Sequence, residues 1–549
     1  MKLKRLLMLG PMAYLAVFFL YPLVAILGRS FEGIPLNFVP FRTLLGDSYY
    51  LGRIGFTIMQ ATVSTMVTLA VGLPFAYLFA RHDFPGKTVL KALTTLPFIM
   101  PTLVVAMGFV ALLGPQGVLN TVLMNLFSLD GPPIRLTNTL AIIFMAHAYY
   151  NYAIVVRIVS AFWANLTPRL EESATMLGAG AMQVFIRVTL PLLLPAIVSA
   201  AVLVFAFSFT SFGVVLVLGG PQFTTIEVAI YDLTVTLFRL ELAGALSIVQ
   251  MIFTYMFLLT YTRFQQRAAV PIGLVPQESV VTRKRRARET ALVIAVVVAL
   301  LLLLSPLAAL VERAFSSNGG YSFVHFTGIF VNGNDSYFFL SPLAIIWNSV
   351  RFALASMVIA VVVGTASAYF IARRGTIPSV SDALFMMPLG VSAVTMGFGF
   401  LVAFNRGPMD LRASWVILVV AHSLVAYPFV IRSLLPVLRG MPAHLSEAAA
   451  VLGASPWKIF VNVELPILAR ALLVGATFAF AVSMGEFGAS LLLVRPEFTT
   501  IPVAIFRLLG QVGETNLGQA LAMASLLMAI VALGFVAIER FRYRDVGGF

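Results

Sequence analysis

Glu486 is the clearest ionisable residue inside a long apolar run of this sequence. It lies in the segment Ser483-Met-Gly-Glu486, and the matching segment 275 residues earlier reads Ser208-Phe-Thr-Ser211. A charged side chain at the middle of a bilayer costs roughly 2.5–3.5 kcal/mol, so such a residue is a candidate for function. If both segments face one pathway, a carboxylate on one side and a hydroxyl on the other would favour a positively charged cargo. The alternative is that Glu486 caps a helix or bridges two helices near the outer face.

Motifs for enzymatic chemistry are missing from the sequence. It has no cysteine, which excludes disulfides, thiolate metal sites and thiol nucleophiles. The triplet Gly86-Lys-Thr resembles the end of a phosphate-binding loop, but Arg81 stands where that motif needs glycine. His147 and His422 occupy matching positions in two apolar runs, where we expect them to form hydrogen bonds between helices. We therefore predict no catalytic residue, no metal site and no cofactor on this chain.

The composition is typical of a protein that lies in a membrane. Of 549 residues, 60% are hydrophobic and 11% are charged, whereas a soluble domain is about one quarter charged. The formal net charge is +14, but the basic residues form short clusters between apolar runs, for example at 2–5, 283–288 and 540–544. This is the distribution that the positive-inside rule predicts for cytoplasmic loops. It favours contact with membrane lipid and argues against a nucleic-acid partner.

Twelve segments are long and apolar enough to cross a bilayer, which takes about 20 residues. They lie at about 6–28, 54–80, 89–113, 139–163, 190–218, 236–262, 290–314, 345–371, 383–404, 413–437, 465–494 and 514–538. An even number of spans places both termini on one side, and the basic terminal residues place that side in the cytoplasm. The sequence therefore predicts an all-α polytopic membrane protein whose first apolar run is an uncleaved span.

An internal repeat divides the chain into two similar halves. The segment Glu172-Ser-Ala-Thr-Met-Leu-Gly178 recurs 275 residues later as Glu447-Ala-Ala-Ala-Val-Leu-Gly453. The same offset relates further residues, and a second offset, 292 residues, relates the earlier part of each half. The pairs at the first offset include His147 with His422, Arg157 with Arg432, Pro191 with Pro466, and Phe212 with Phe487; those at the second are Gly72 with Gly364 and Tyr77 with Tyr369.

The repeat predicts three parts: a first six-helix half at 1–262, a polar cytoplasmic linker at 263–289, and a second six-helix half at 290–549. Six spans separate equivalent points, so both halves have the same orientation in the membrane. Such a parallel repeat is related by an axis along the membrane normal, and a pathway between the halves suits it.

The repeated loop resembles the EAA loop of ABC import permeases. In each half it reads Glu-x-Ala-x-x-x-Gly, with a proline thirteen residues after the glycine, between the fourth and fifth spans. Each copy predicts a short helix, over 170–177 and 445–452, that ends at a glycine. The resemblance covers essentially the whole chain and implies the type I importer permease fold.

In that family the short helices dock into clefts on ATP-hydrolysing subunits. The residues that the resemblance assigns to these coupling loops are Glu172, Ala174, Leu177 and Gly178 in the first copy and Glu447, Ala448, Ala449, Leu452 and Gly453 in the second. The glutamates would be polar docking contacts, and the glycines would provide the turn. The implied partners are two copies of an ABC ATPase, which carry ATP and magnesium, and an extracytoplasmic substrate-binding protein. The implied location is a bacterial inner membrane.

The cargo is suggested by a further resemblance. The segment from Phe209 to Gln222, with the following Thr-Thr-Ile-Glu-Val-Ala-Ile-Tyr231, is similar to thiamine permeases, and so is the stretch around Glu486. This implies import of thiamine or a thiamine phosphate ester. Ferric-iron permeases share the fused layout and remain an alternative. The candidate pathway residues are Ser208, Ser211, Ser483 and Glu486.

Two other classes and one loop remain to be weighed. An ion-coupled secondary transporter also uses repeats, but it needs coupling carboxylates in its spans, and the sequence offers essentially one. A membrane enzyme would need a clustered acid, base or metal set. A Pro-x-Phe-Thr-Thr-Ile loop, at 221–226 and 496–501, follows each polar segment. It would either contact a substrate-delivering protein or serve only as a rigid turn.

Overall fold

The fold is almost entirely helical in a computed structural model of the chain. The structure describes residues 2–31, 38–82, 84, 86–164, 166, 169–268, 286–317, 320–331, 340–372, 385–405, 410–412 and 414–544. Most of the predicted linker, at 269–285, lies outside the described residues. The helices on either side extend into its predicted bounds, to Ala268 and from Arg286.

The first half contains nine helices that are numbered here in chain order. They are α1 (Lys2–Leu15, continued through a π turn at Ala16–Leu20 into Tyr21–Ser30), α2 (Ser48–Arg81), α3 (Thr102–Leu113), α4 (Leu140–Ala164), α5 (Arg169–Met176), α6 (Leu190–Phe209), α7 (Gly213–Leu218), α8 (Ile226–Tyr231) and α9 (Leu240–Ala268). Further helical segments, which are not numbered, are Val39–Gly46, Lys87–Leu93, Leu96–Ile99, Val118–Phe127 and Ala181–Val184, with π turns at Phe185–Thr189 and Asp232–Thr236.

The second half repeats this order. Its helices are α10 (Arg286–Phe315), α11 (Pro342–Ala372), α12 (Ala393–Ala403), α13 (Val416–Gly440), α14 (Ala443–Val451), α15 (Leu465–Met484), α16 (Gly488–Leu493), α17 (Ile501–Leu509) and α18 (Glu514–Arg544). Further segments, which are not numbered, are Val324–Val331, Met387–Gly390, Pro456–Ile459, a π turn at Phe460–Glu464, and Pro496–Phe498. A two-stranded antiparallel sheet, β1 (Ser316–Ser317) and β2 (Gly320–Tyr321), pairs Ser316 with Tyr321.

Ten helices among the described residues are long and apolar enough to cross a membrane. Two of the twelve expected spans are not among these ten. The expected span at 290–314 lies within α10, which is 30 residues long and whose side chains are described only in part. The expected span at 383–404 contains the shorter apolar helix α12, which has 11 residues.

The sequence repeat reappears as a repeated packing contact. Gly72 on α2 lies against Val155 on α4, and a Cβ placed on Gly72 would be 2.7 Å from the Val155 Cβ. In the second half Gly364 on α11 lies against Val430 on α13, with a corresponding distance of 2.8 Å. Both glycines therefore permit the same close approach of the second and fourth spans. In this contact the glycines are related by the 292-residue offset and the valines by the 275-residue offset.

The first span of each half packs against the other half. Pro22 on α1 lies against Gly399 on α12, and Pro306 on α10 lies against Gly108 on α3. A Cβ on Gly108 would come within 2.8 Å of the Pro306 carbonyl oxygen, so these helices touch through backbone. The Tyr14 hydroxyl also donates to the Val420 carbonyl at 3.3 Å. Exchanged first spans interlock the halves around the centre of the molecule.

Candidate coupling loops and transport pathway

Two short helices, α5 and α14, correspond to the predicted helices at 170–177 and 445–452. Each ends at a glycine in the left-handed region, Gly178 with φ 85° and Gly453 with φ 82°. The residue after each glycine closes the helix with the same backbone bond: Ala179 donates to the Ala174 carbonyl at 3.1 Å, and Ala454 donates to the Ala449 carbonyl at 3.0 Å. The predicted glycine stops are therefore present in both halves.

The outer surfaces of these loop helices are polar at one end and apolar at the other. Glu172 and Glu447 are exposed, as is Ala448, whereas Ala174 and Ala449 are half-buried. The last residues are large, apolar and almost fully exposed. Their exposed fractions are 88% for Met176, 89% for Leu177, 88% for Val451 and 87% for Leu452. Met176 matches Val451, and Leu177 matches Leu452, at the 275-residue offset.

A third exposed apolar position continues this surface in each half. Met182 is 69% exposed and Trp457 is 65% exposed, and they too are related by the 275-residue offset. Sequence reasoning singled out the leucines of these loops but missed the methionines, Val451 and Trp457. The signal that would have found them is a large apolar residue at the same positions of two otherwise polar loops. An exposed apolar patch that recurs in both halves is typical of a surface that binds a partner.

The fifth span of each half, which the sequence shows as one apolar run, is broken. Helix α6 ends at Phe209 and α7 begins at Gly213, while α15 ends at Met484 and α16 begins at Gly488. Ser211 and Glu486 lie in the two breaks. The apolar runs 190–218 and 465–494 are therefore each two helices, and the other two candidate pathway residues, Ser208 and Ser483, lie in the last turns of α6 and α15.

The histidines of the fourth spans form hydrogen bonds between helices, as predicted. His147 on α4 contacts the Ser64 hydroxyl through Nδ1 at 2.9 Å and the Ser211 hydroxyl through Nε2 at 2.8 Å. His422 on α13 contacts Ser483 through Nδ1 at 2.9 Å and Ser490 through Nε2 at 2.8 Å. Each imidazole thus holds the break of its own half in place.

Glu486 caps the N-terminus of α16. Its two carboxylate oxygens accept the backbone N–H groups of Ala489 and Ser490, each at 2.9 Å. It also accepts the Ser490 hydroxyl at 2.9 Å, and Nε2 of His422 lies 3.3 Å away. A carboxylate is favourable at this end of a helix because unpaired N–H groups point at it. The capping geometry that we weighed as the alternative is therefore present.

A small central cavity, with a volume of about 200 Å³, lies between the halves. Ser211 and Glu486 are among the residues that line it, whereas Ser208 and Ser483 are not among the described lining residues. Ser208 instead receives the Gln60 amide on its carbonyl at 2.8 Å. The cavity is smaller than the roughly 300–1,000 Å³ of ordinary ligand pockets, so the conformation described here has little room for cargo.

Aromatic rings form much of the cavity wall. They are Phe98, Tyr150, Phe207, Phe212, Phe429, Phe478 and Phe487. Phe212 and Phe487 are a repeat pair, and their rings stack across the boundary between the halves with centroids 5.4 Å apart. Phe98 of the first half meets Phe478 of the second at 6.4 Å. Rings at these distances close the space between the two breaks.

A second buried carboxylate lines the same cavity and was missed by sequence reasoning. Glu227 on α8 is fully buried and accepts hydrogen bonds from Gln250 on α9 and from Ser392 at 2.7 Å. Ser392 caps α12 of the second half, so this bond crosses between halves. The expectation of essentially one carboxylate concerned the spans, and Glu227 lies between the expected spans 190–218 and 236–262. Glutamate within the apolar segment from Ile226 to Tyr231 was the available signal.

The Pro-x-Phe-Thr-Thr-Ile loops are anchored in the same way in both halves. The Ile226 N–H donates to the Thr57 hydroxyl at 2.9 Å, and the Ile501 N–H donates to the Ser349 hydroxyl at 2.8 Å. The second threonine of each loop is buried. These hydrogen bonds anchor the loops, and Pro221, Gln222 and Glu497 are exposed, so contact with a substrate-delivering protein stays a prediction.

The comparisons with known proteins agree with this arrangement. The family model described as binding-protein-dependent transport system inner membrane component matches residues 72–316 and 360–544. The thiamine transport system permease protein ThiP of Escherichia coli (strain K12) is 28% identical over 514 residues, covering 91% of this chain and 90% of the relative. The protein of that name from Haemophilus influenzae is 25% identical, covering 92% and 91%.

Another relative matches only part of the chain. The putative 2-aminoethylphosphonate transport system permease protein PhnV of Salmonella typhimurium is 32% identical over 161 residues, which is 29% of this chain and 60% of the relative. The full-length relatives and the two-part family match therefore agree with a chain of two similar halves. The chain belongs to the binding-protein-dependent transport system inner-membrane components, as an ABC importer permease with both halves fused in one multi-pass polypeptide.

Proposed function

We propose that this permease imports thiamine, that it carries no ATPase site of its own, and that two copies of a separate ATPase subunit drive it from the cytoplasmic side. ATP and magnesium are bound on those subunits. Both termini and both loop helices face the cytoplasm, and a substrate-binding protein delivers cargo at the opposite face. The repeated exposed apolar patch carries the ATPase part of this proposal, because two like patches suit two like partners.

The loop helices are the points where the ATPases push. Closure of the ATPase dimer on ATP moves α5 and α14 together, and the movement opens the space between the halves to the outside. Release of phosphate reverses it. The cavity needs no tight cargo site of its own, because cargo shifts the balance only by its different affinity for the two conformations.

Docking is tested with the two leucines at the ends of the loop helices. Leu177→Ser combined with Leu452→Ser removes apolar surface from both patches, and we expect the ATPase to be lost when the tagged permease is purified. Val512→Ser is the matched control because Val512 is equally exposed, at 99%, in a loop away from α5 and α14. Retention of a full complement of ATPase by the double variant would contradict docking at these helices.

Thiamine is the best supported cargo because relatives named as thiamine permeases match about nine tenths of the chain. The cavity agrees in chemistry, since thiamine is a cation with two aromatic rings. Aromatic rings attract cations through their faces, and Glu486 supplies a negative charge beside them. Ferric iron, a thiamine phosphate ester and 2-aminoethylphosphonate are the competing cargoes.

Uptake of radiolabelled thiamine decides among these cargoes. The permease is produced with its ATPase and binding protein in bacteria that lack other thiamine uptake. We expect uptake that needs ATP, persists when a protonophore collapses the proton gradient, and is blocked by excess unlabelled thiamine. Uptake that follows the proton gradient would favour an ion-coupled transporter. Competition by the phosphate ester, aminoethylphosphonate or ferric iron, without competition by thiamine, would reassign the cargo.

A further inference from the structure

A carboxylate in the first turn of the loop helix α5 joins three helical elements. Glu171 on α5 accepts a hydrogen bond from the Arg81 guanidinium at 2.6 Å and from the Thr189 hydroxyl at 2.8 Å. Arg81 is the last residue of α2, and Thr189 is the last residue of the π turn that leads into α6. One carboxylate therefore holds the loop helix, the end of the second span and the base of the fifth span together.

The second half has a corresponding junction built from different residues. Glu464, the last residue of the π turn before α15, accepts the Tyr369 hydroxyl at 2.6 Å and the Ser446 hydroxyl at 3.1 Å. Tyr369 lies on α11, and Ser446 lies on the loop helix α14. The same three elements again meet at one carboxylate.

The carboxylate and the hydroxyl have exchanged places between the halves. Glu171 matches Ser446 at the 275-residue offset, and Thr189 matches Glu464 at the same offset. The acid is on the loop helix in the first half and on the fifth span in the second, yet the bond between those two elements is present in both. Thr189 and Glu464 are both buried, with 4% and 5% exposed, whereas their partners Glu171 and Ser446 are half-buried.

The π turns place this junction at the start of the broken fifth spans. In each half a five-residue π turn, Phe185–Thr189 or Phe460–Glu464, ends at the junction residue, and the following helix runs to the break that holds Ser211 or Glu486. Single π turns inside α-helices are frequent at functional sites. A rigid helix thus connects each junction to the wall of the central cavity.

We propose that the Glu171–Thr189 and Ser446–Glu464 bonds are the links that convert movement of the docked loop helices into movement of the cavity wall. This inference rests on the proposed function, in which ATPases move α5 and α14. The four side chains are positioning residues that touch neither nucleotide nor cargo. Without the bond a loop helix still docks, but its movement is no longer imposed on α6 or α15.

The test measures cargo moved per ATP hydrolysed in proteoliposomes that contain the full complex and its loaded binding protein. Thr189→Val keeps the shape of the side chain and removes the hydroxyl donor, and Ser446→Ala does the same in the second half. We expect each to lower the ratio about tenfold, within the usual range of coupling between sites. ATPase association, followed by native mass spectrometry, stays intact. Thr477→Val is the control because the Thr477 hydroxyl bonds only to its own helix, at the Leu473 carbonyl.

An exchange variant separates a coupling role from a merely structural one. Glu171→Ser with Thr189→Glu gives the first half the hydroxyl–carboxylate order of the second, and we expect it to restore most of the ratio that Glu171→Ser alone loses. A normal ratio in Thr189→Val and Ser446→Ala would overturn the inference, as would an exchange variant that assembles but stays uncoupled. Failure of the wild-type chain to bind any ATPase would instead overturn the proposed function.

Discussion

Glu486 and Glu227 face one cavity from opposite halves, and each is already held by donors of the protein. Glu486 receives two backbone N–H groups at the start of α16, whereas Glu227 receives side-chain donors from α9 and from Ser392 across the boundary. Buried carboxylates that keep such bonds stabilise the fold, because each oxygen that left water has a donor of the protein in its place.

Substitution of Glu486 separates its two roles. Glu486→Gln keeps one oxygen that can accept a helix N–H but removes the charge, so we expect a smaller loss of thermal stability than in Glu486→Ala and a clear loss of thiamine uptake. Glu486→Ala leaves two buried N–H groups unpaired and should also destabilise the protein, by about 1–3 kcal/mol. Thermal unfolding in detergent and initial uptake rates measure the two effects. Normal uptake by Glu486→Gln would mean that the carboxylate is only a cap.

Some residues of the candidate site could be predicted from the sequence, and others could not. Glu486 and the loop residues were found because each stands out locally, as a charge in an apolar run or as a repeated motif. Glu227 was missed although it too is a charge in an apolar segment, and its bond to Ser392, 165 residues away in the sequence, could be seen only in the fold. The exposure of Met182 and Trp457 depends likewise on what surrounds them.

The broken fifth spans and the loop helices are the elements that connect docking to the pathway. Their boundaries were beyond sequence analysis because hydropathy averages over about 20 residues and cannot detect a break of three residues between α6 and α7 or between α15 and α16. The glycine stops of α5 and α14 were predictable because a left-handed residue after a helix strongly favours glycine. No local signal in the sequence showed that the first span of each half packs against the other half, because an apolar span can pack equally well against either half.

Packing of the second span against the fourth can be tested on one helix. Gly72→Ala places a methyl group 2.7 Å from the Val155 Cβ, and we expect it to lower the free energy of unfolding by about 1–3 kcal/mol. Gly55→Ala on the same helix is the control, because nothing lies within 4 Å of its Cβ position. Thermal unfolding in detergent compares them. Equal stability of the two variants would contradict the close contact.

Two interlocked halves around a small aromatic cavity make up the described part of the molecule. Each first span packs on the other half, through contacts such as Pro306 with Gly108. The repeat, the class of protein and the existence of two halves could be predicted from sequence. Their interlocking depends on contacts such as Pro22 with Gly399, far apart in the chain.

Cysteine labelling tests the orientation of the molecule in the membrane. Because the natural chain has no cysteine, each introduced cysteine is the single site of labelling. Met182→Cys adjoins a docking patch and Val512→Cys lies beyond the other ends of the spans. In intact cells we expect a membrane-impermeant maleimide to label Val512→Cys and to label Met182→Cys only after permeabilisation. The reverse pattern would place the loop helices outside and would be incompatible with cytoplasmic ATPases.

Native mass spectrometry of the tagged permease, gently purified from its own membranes, tests the central claim most directly. The account predicts one copy of this chain with two copies of an ATPase subunit, with or without a binding protein, and loss of the ATPases when Leu177 and Leu452 are replaced by serine. A permease that repeatedly emerges without an ATPase, under conditions that keep another ABC importer intact, would contradict ATP-driven transport through these loop helices.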